Sequence, residues 1–137
     1  MKKTVLLLVF STFLISCEEE GILTPDIVQI VPIPVNTTPV NEGLFMPTSG
    51  INVTGGAKIY QENGQYKVVL ENFSISGGPD LKVYLSKTNT PNEFVNLGNL
   101  TAATIYAIPQ NVVLSDYKYV LIHCQQYNHL FAVAQLK

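Results

Sequence analysis

The chain contains neither arginine nor tryptophan, and charged residues make up only 13% of its 137 residues. All eight basic residues are lysines, and two of them, Lys2 and Lys3, lie at the extreme N-terminus. From Cys17 onward, six lysines stand against ten acidic residues, which gives a net charge of −4. Nucleic-acid-binding domains need a basic face and usually arginine forks, so we exclude nucleic acid as a partner.

Long apolar runs are scarce as well, and the most prominent one extends only from Val5 to Ile15. A membrane-spanning helix takes about 20 apolar residues, so this run is too short to cross a bilayer. The lysines before it and Ser16 after it give the layout of a cleaved secretory signal. We therefore predict a signal peptide over residues 1–16.

Cys17 ends the tetrapeptide LISC, residues 14–17, which resembles a bacterial lipobox. In such signals the cysteine thiol is acylated, and acyl chains such as palmitate hold a protein on a membrane without a spanning helix. We predict that Cys17 is the lipidated N-terminal residue, with a plain N-terminal anchor as the alternative. The acidic run Glu18–Glu20 resembles the signal that sends some lipoproteins of Gram-negative bacteria to the cell surface. We expect an outer-membrane protein exposed at the cell surface, and a periplasm-facing orientation stays open.

Residues 17–47 are predicted to be a tether because five prolines are spread over this stretch, at positions 25, 32, 34, 39 and 47. Proline lacks an amide donor and biases the preceding residue toward extended geometry, which excludes a helix or a central strand. The range 27–33 carries more apolar residues than a spacer needs, so an edge strand lying against the domain stays open for part of the tether.

Residues 48–137 show no helical periodicity and no internal repeat, and we predict one all-β domain. Short runs of β-branched and aromatic residues are separated by Gly, Asn, Pro and Asp, and Asn63-Gly64 predicts a tight hairpin. The predicted strands lie near residues 57–61, 66–73, 81–86, 93–97, 104–108, 117–124 and 130–136. This spacing indicates an antiparallel β-sandwich or small barrel of seven to eight strands.

Cysteine and histidine are scarce, which limits the redox and metal chemistry of the domain. If Cys17 carries lipid, Cys124 is the only thiol left, so a two-cysteine cycle within the chain is excluded. Alternation along residues 117–124 places Cys124 on the face that we expect to be the core, and His123 on the opposite face. His129 lies in the following turn, where it can approach either residue.

Cys124 and His129 imitate the cysteine–histidine loop of blue-copper proteins. Such a site also needs a histidine from an upstream strand and usually a methionine. The other histidine is the adjacent His123, and no methionine follows Met46. Structural zinc meets the same shortage of ligands, so we predict neither a metal nor another cofactor.

Four residues are candidates for binding an envelope protein or a glycan, namely Asp80, His123, Tyr127 and His129. The alternatives are structural, since an aspartate in a Gly-Pro-Asp turn usually bonds its own turn backbone. Tyrosines on a sandwich usually pack with the hydroxyl in water. Hydrolase triads, paired carboxylates, phosphate loops and dinucleotide fingerprints are not found in the sequence.

The segments GGAKI, VVLENFSI, GGPDLKVYLS, VNLGNL, YAIP, YKYVLIHC and FAVAQL occur in this order between residues 55 and 136. Together they resemble the DM-thirteen domain, an electron-transfer domain that accompanies DOMON domains in Skeletor-type animal proteins and also occurs in bacterial lipoproteins. The resemblance implies a β-sandwich-like extracellular module with a redox-active cysteine at Cys124. The chain departs from the family pattern at His123, Tyr127 and Ala132, where tryptophan, phenylalanine and glycine are usual.

Two functions follow from these patterns. The first prediction is a lipid-anchored module of the cell envelope with a non-enzymatic binding or structural role, attached to membrane lipid through Cys17. In that case Cys124 is an inert core thiol, since free cysteine is among the most buried residue types. The alternative is a redox or electron-transfer domain that uses Cys124, which requires an accessible and activated thiol.

Overall fold

The computed structural model describes residues 38–137, and the predicted signal peptide, Cys17 and most of the predicted tether lie outside the described residues. The described part consists of eight β-strands and one short 3-10 helix. The strands are β1 Asn41–Pro47, β2 Val53–Glu62, β3 Gln65–Ile75, β4 Leu81–Ser86, β5 Phe94–Asn99, β6 Ile105–Ala107, β7 Tyr119–Cys124 and β8 His129–Gln135, and the 3-10 helix is Leu114–Asp116. Over residues 38–137, no helix is long and apolar enough to cross a membrane.

The eight strands form one antiparallel sheet in the order β5-β4-β7-β8-β1-β2-β3-β6. The two outermost strands, β5 and β6, approach each other, so the sheet nearly closes on itself as a small barrel. This confirms the prediction of an all-β antiparallel fold. A nearly closed sheet also leaves little unpaired strand edge for association with other chains.

The core lies inside the barrel, where alternate residues of the strands meet. On β4, Val83 and Leu85 point into the core, and their neighbours Tyr84 and Ser86 lie on the outer face, as the alternation predicts. The buried residues of the core are Phe45, Ala57, Ile59, Val68, Leu70, Val83, Leu85, Tyr106, Ile108, Val120, Ile122, Cys124, Phe131, Ala132, Ala134 and Leu136.

All seven predicted strands are present, and the prediction for residues 81–86 matches β4. The largest difference is at β2, which begins four residues earlier than predicted, at Val53. The predicted hairpin joins β2 to β3, where Asn63 and Gly64 have φ values of 51° and 79°. Positive φ at both central residues is the requirement of the tight hairpin turn that the Asn-Gly pair predicts.

The predicted tether, residues 17–47, is wrong at its C-terminal end, because β1 occupies Asn41–Pro47 and pairs with β2 on one side and β8 on the other. Prolines bound this strand rather than interrupt it, since Pro39 precedes it and Pro47 is its last residue. Leu44 and Met46 lie on the outer face, so Phe45 is the one large residue of β1 in the core. One core residue between two prolines is a weak strand signal.

Gly43 allows β1 to lie close to β8. A Cβ atom at this position would be 2.1 Å from the carbonyl oxygen of Gln135, so only glycine fits without a backbone shift. This close approach places β1 in the middle of the sheet, although the family-typical segments begin only after it.

The central position of β1 predicts that two neighbouring substitutions differ strongly in their effect on the free energy of unfolding. Phe45→Ala should destabilise the protein by about 3–5 kcal/mol, because a large buried side chain leaves a cavity. Leu44→Ala should change the free energy of unfolding by less than about 0.5 kcal/mol, because Leu44 is 76% exposed. Urea denaturation of the two variants measures the difference. Equal, small effects would show that β1 does not contribute to the core.

Candidate functional site

Cys124 is the last residue of β7, and its side chain points into the barrel with 1% of its surface exposed. It is the free cysteine of the described residues. The thiol donates a hydrogen bond to the backbone carbonyl oxygen of Pro79, with 2.9 Å between Sγ and the oxygen.

A single exposed turn, residues 77–80, covers the thiol between β3 and β4. The turn is also tied to the residue after Cys124, because the amide of Gln125 donates to the carbonyl oxygen of Asp80 at 3.1 Å. Phe131 packs directly against Gly78, where a Cβ atom would lie 2.7 Å from the ring. The turn therefore covers the thiol, and Phe131 packs against the turn because Gly78 has no side chain.

The register of β7 and β8 places His129 directly opposite Cys124. The two residues are Cα partners in this antiparallel pair, and directly opposed residues project from the same face of a sheet. His129 is exposed, and its ring contacts Phe131 edge-on at a centroid distance of 5.3 Å. The register thus places His129 beside Cys124 in the sheet, and His129 also lies near enough to His123 to lower its pKa.

His123 lies on the outer face of the sheet, turned away from Cys124, but only 5% of its surface is exposed. Its ring is 5.3 Å from the ring of Tyr84, which stacks in turn on Phe94 at 4.0 Å. Among the described residues, neither ring nitrogen has a hydrogen-bond partner. Burial lowers the pKa of His123 below its ordinary value of 6.5; the side chain of Asn128 opposes the shift, and His129 adds to it.

Asp80 and Tyr127 lie at the same end of the barrel as Cys124. The Asp80 carboxylate contacts Nζ of Lys82 at 2.6 Å, rather than its own turn backbone as the sequence suggested, because a lysine two residues away offers a full charge. Tyr127 is 68% exposed in the loop between β7 and β8. The structure thus places Asp80, Tyr127 and His129 at the end of the barrel where Cys124 lies, and it places the His123 side chain on the outer face of the sheet.

Two contributors to this site were not predicted from the sequence. The acceptor at Pro79 is a backbone carbonyl. Every residue has one, so the sequence does not indicate which carbonyl accepts the hydrogen bond from Cys124. Phe131 looked like an ordinary strand residue, although it is the extra residue of an irregularity that shifts the register between Ile122 and His123. Between residues 38 and 137, no group of three or more His, Cys, Asp or Glu side chains is placed to hold a metal ion.

The buried, unpartnered imidazole of His123 predicts a dependence of stability on pH. Since its folded-state pKa lies below 6.5, the unfolded chain binds the proton more readily. The free energy of unfolding that depends on a neutral His123 is fully present above about pH 6.5. It is lost as the pH falls through that value toward the folded-state pKa. Urea denaturation between neutral and mildly acidic pH should show the decline.

The matched variants are His123→Phe and His129→Gln. Replacing His123 by an apolar ring removes the titrating group and should flatten the pH profile. Replacing the exposed His129 should leave most of the slope in place, because burial is the largest cause of the lowered pKa of His123. A profile that keeps its slope in His123→Phe would contradict the assignment of the titration to His123.

Comparison with protein families matches β2 to β8, together with the last residue of β1, to one family. The family model described as Electron transfer DM13 matches residues 47–136, which is 90 of the 137 residues. The match begins at the end of β1 and includes Cys124, the covering turn and His129. Neither a curated protein sequence nor a solved structure matches the chain. The chain belongs to the Electron transfer DM13 family.

Proposed function

We propose that this protein is an electron-transfer module of the cell envelope and that Cys124 is its redox group. The observation that carries the proposal is the position of this thiol, which donates to the Pro79 carbonyl oxygen of an exposed turn and lies opposite His129 in the β7–β8 pair. The family description supports electron transfer. Of the two functions predicted from the sequence, the redox alternative therefore has the better support.

Burial restricts the kind of redox chemistry that suits Cys124. Thiol–disulfide exchange needs direct contact between two sulfur atoms, which the turn over residues 77–80 prevents while it is closed. Transfer of a single electron needs only a short path through packed atoms. One-electron oxidation of the thiol gives a thiyl radical, a proton and an electron. In this proposal the imidazole of His129 takes the proton, and a one-electron acceptor bound over the turn takes the electron.

The second candidate is the non-enzymatic binding or structural role. It is favoured by the 1% exposure of Cys124 and by the hydrogen bond that its thiol donates to the Pro79 carbonyl oxygen. These are the properties of an inert core cysteine. In this case the exposed residues around the turn, such as Tyr127 and His129, are the surface that binds an envelope protein or a glycan.

Both candidates share a proposed location at the outer membrane, on the cell surface. The support is the sequence before the domain, where a short apolar run, LISC and Glu18–Glu20 follow each other. In this proposal lipid on Cys17 attaches the protein to the membrane. An anchor of this kind would keep the domain within a fixed reach of partners in the same membrane, which raises their effective concentration.

Stoichiometric oxidation tests the role of Cys124. Full-length native protein mixed with ferricyanide, a one-electron oxidant, should reduce about one equivalent per chain at neutral pH, in line with one thiol and no partner cysteine. Cys124→Ala should reduce about one equivalent less per chain than the native protein. Because this variant keeps Cys17, any contribution from an unlipidated Cys17 would appear in both proteins and cancel in the comparison.

His129→Gln refines the same experiment. Losing the proton acceptor should slow the oxidation without changing its stoichiometry. Thermal denaturation of each variant checks that the fold is intact. If the native protein and Cys124→Ala consume the same amount of ferricyanide, Cys124 is not a redox group and the second candidate is favoured.

Substitution of Cys17 tests the proposed anchor. Cys17→Ser should move the protein from the detergent phase to the aqueous phase in a phase-separation assay, because the acyl chains supply the membrane affinity. Cys124→Ser, which removes the other thiol, should stay in the detergent phase. Retention of Cys17→Ser in the detergent phase would argue for an uncleaved anchor instead of lipid.

A further inference from the structure

The end of the barrel at which Cys124 lies carries little charge. Four strand connections meet at this end, namely residues 48–52, 76–80, 100–104 and 125–128. Asp80 is the one charged residue of these connections, and its carboxylate contacts Nζ of Lys82 at 2.6 Å. The four connections therefore present no unpaired charge to solvent.

The charged connections lie at the opposite end of the barrel. Lys87 and Glu93 stand at the two ends of the β4–β5 connection. Asp116 and Lys118 precede β7, and Lys137 follows β8. The chain also enters β1 at this end, because the pairing of β1 with β8 places the start of β1 beside the end of β8. Charge is thus unevenly distributed along the barrel axis.

Hydrogen bonds join the connections of the Cys124 end into one surface. The amide of Ser76 donates to the carbonyl oxygen of Asn52, and the amide of Asn52 donates to the hydroxyl of Ser76, both at 2.9 Å. The amide of Gln125 donates to the carbonyl oxygen of Asp80 at 3.1 Å. Residues 100–104 are tied to β4 in the same way. A surface whose backbone is already fixed loses less conformational entropy when it binds a partner.

The exposed side chains of this surface are mostly neutral hydrogen-bonding groups. Tyr127, which is 68% exposed, adds one large aromatic ring with a hydroxyl. Tyrosine together with serine, glycine and asparagine is the composition by which antibody loops bind proteins, with a rigid aromatic anchor and adaptable hydrogen bonds. The exposed amide and hydroxyl side chains are those of Ser49, Asn52, Thr101, Gln125, Gln126 and Asn128.

We infer that this uncharged end of the barrel is the surface at which electrons leave Cys124, and that it fits a redox partner whose docking face is also uncharged. The inference rests on the proposed redox role of Cys124. The thiol donates its hydrogen bond to Pro79, a residue of this surface. A charged partner face would lose hydration here without gaining an ion pair, which costs free energy. A face of amide, hydroxyl and aromatic groups avoids that cost.

An uncharged surface also gives up electrostatic steering. Association without steering proceeds at about 10⁵–10⁶ M⁻¹s⁻¹, against up to about 10⁸–10⁹ M⁻¹s⁻¹ with it. A partner held in the same membrane would offset the slower encounter through its effective concentration. This consequence alone depends on the proposed anchor at Cys17.

Two one-electron oxidants of opposite charge, ferricyanide and tris(phenanthroline)cobalt(III), test where the electrons leave. In the full-length protein at pH 8, Gln126→Lys should speed the oxidation by ferricyanide at least about threefold and slow the oxidation by the cobalt complex to a similar extent. The added charge lies where the oxidant approaches, so raising the salt concentration should remove both effects. Each rate is taken as the part that is lost when Cys124→Ala is added to the same protein.

The matched control is Asn111→Lys. It adds the same charge at an exposed residue of the opposite end, and it should change neither rate by more than about 1.5-fold, because the charge is distant and screened. Thermal denaturation checks that both variants are folded. Equal effects of the two substitutions, or an effect of Asn111→Lys alone, would show that electrons leave elsewhere on the barrel and would overturn the inference.

The native protein tests the lack of charge at this surface. Its rates with both oxidants should change by less than about twofold as the salt concentration is raised, because no net charge faces the oxidant. Strong salt effects of opposite sign for the two oxidants would rule out an uncharged partner face. Failure of the proposed function gives a different result, since then no oxidation depends on Cys124 in any variant, and the inference falls with it.

Discussion

The alternation of side chains along β7 is the constraint on which the site depends. This strand is hydrogen-bonded to β4 on one side and β8 on the other, so it cannot slip by one residue without turning its core residues outward. The alternation places Cys124 inside the barrel and His123 outside it. The side chains of Cys124 and His123 therefore point in opposite directions. Cys124 is surrounded by the core of the barrel, and His123 is surrounded by residues of the outer face.

The inner environment suits a thiol that is close to the surface but covered. Cys124 is held by the Pro79 carbonyl, and the turn above it fits because Gly78 leaves room for Phe131. His129 stands opposite Cys124 in the β7–β8 pair and is open to solvent. This arrangement keeps reagents away from the sulfur while it leaves a short path for an electron, which is why one geometry is compatible with both candidate functions. The outer environment of His123 is apolar and aromatic, and the imidazole is neutral there at neutral pH.

The sequence predicted the parts of the fold that rest on local patterns. The seven strands, the Asn63-Gly64 turn and the inward direction of Cys124 all follow from period-two alternation and turn chemistry. β1 was missed because its exposed residues are as apolar as its buried one, and burial on a barrel depends on neighbours distant in the chain. The pairing of Cys124 with His129 was not predictable either, since a shift in register at Phe131 determines it. The ion pair of Asp80 with Lys82 likewise depends on a turn geometry that the residue types alone do not define.

The central claim is that the turn over residues 77–80 covers Cys124 in the native protein, and local opening of this turn is the expected route by which the thiol becomes exposed. The most direct measurement is the rate at which a maleimide alkylates Cys124 in the full-length protein, followed as urea is raised below the unfolding transition. The account predicts a native rate at least roughly a hundredfold below that of the unfolded chain, with a smaller urea dependence than global unfolding has. Alkylation at the unfolded rate in the absence of urea would contradict it.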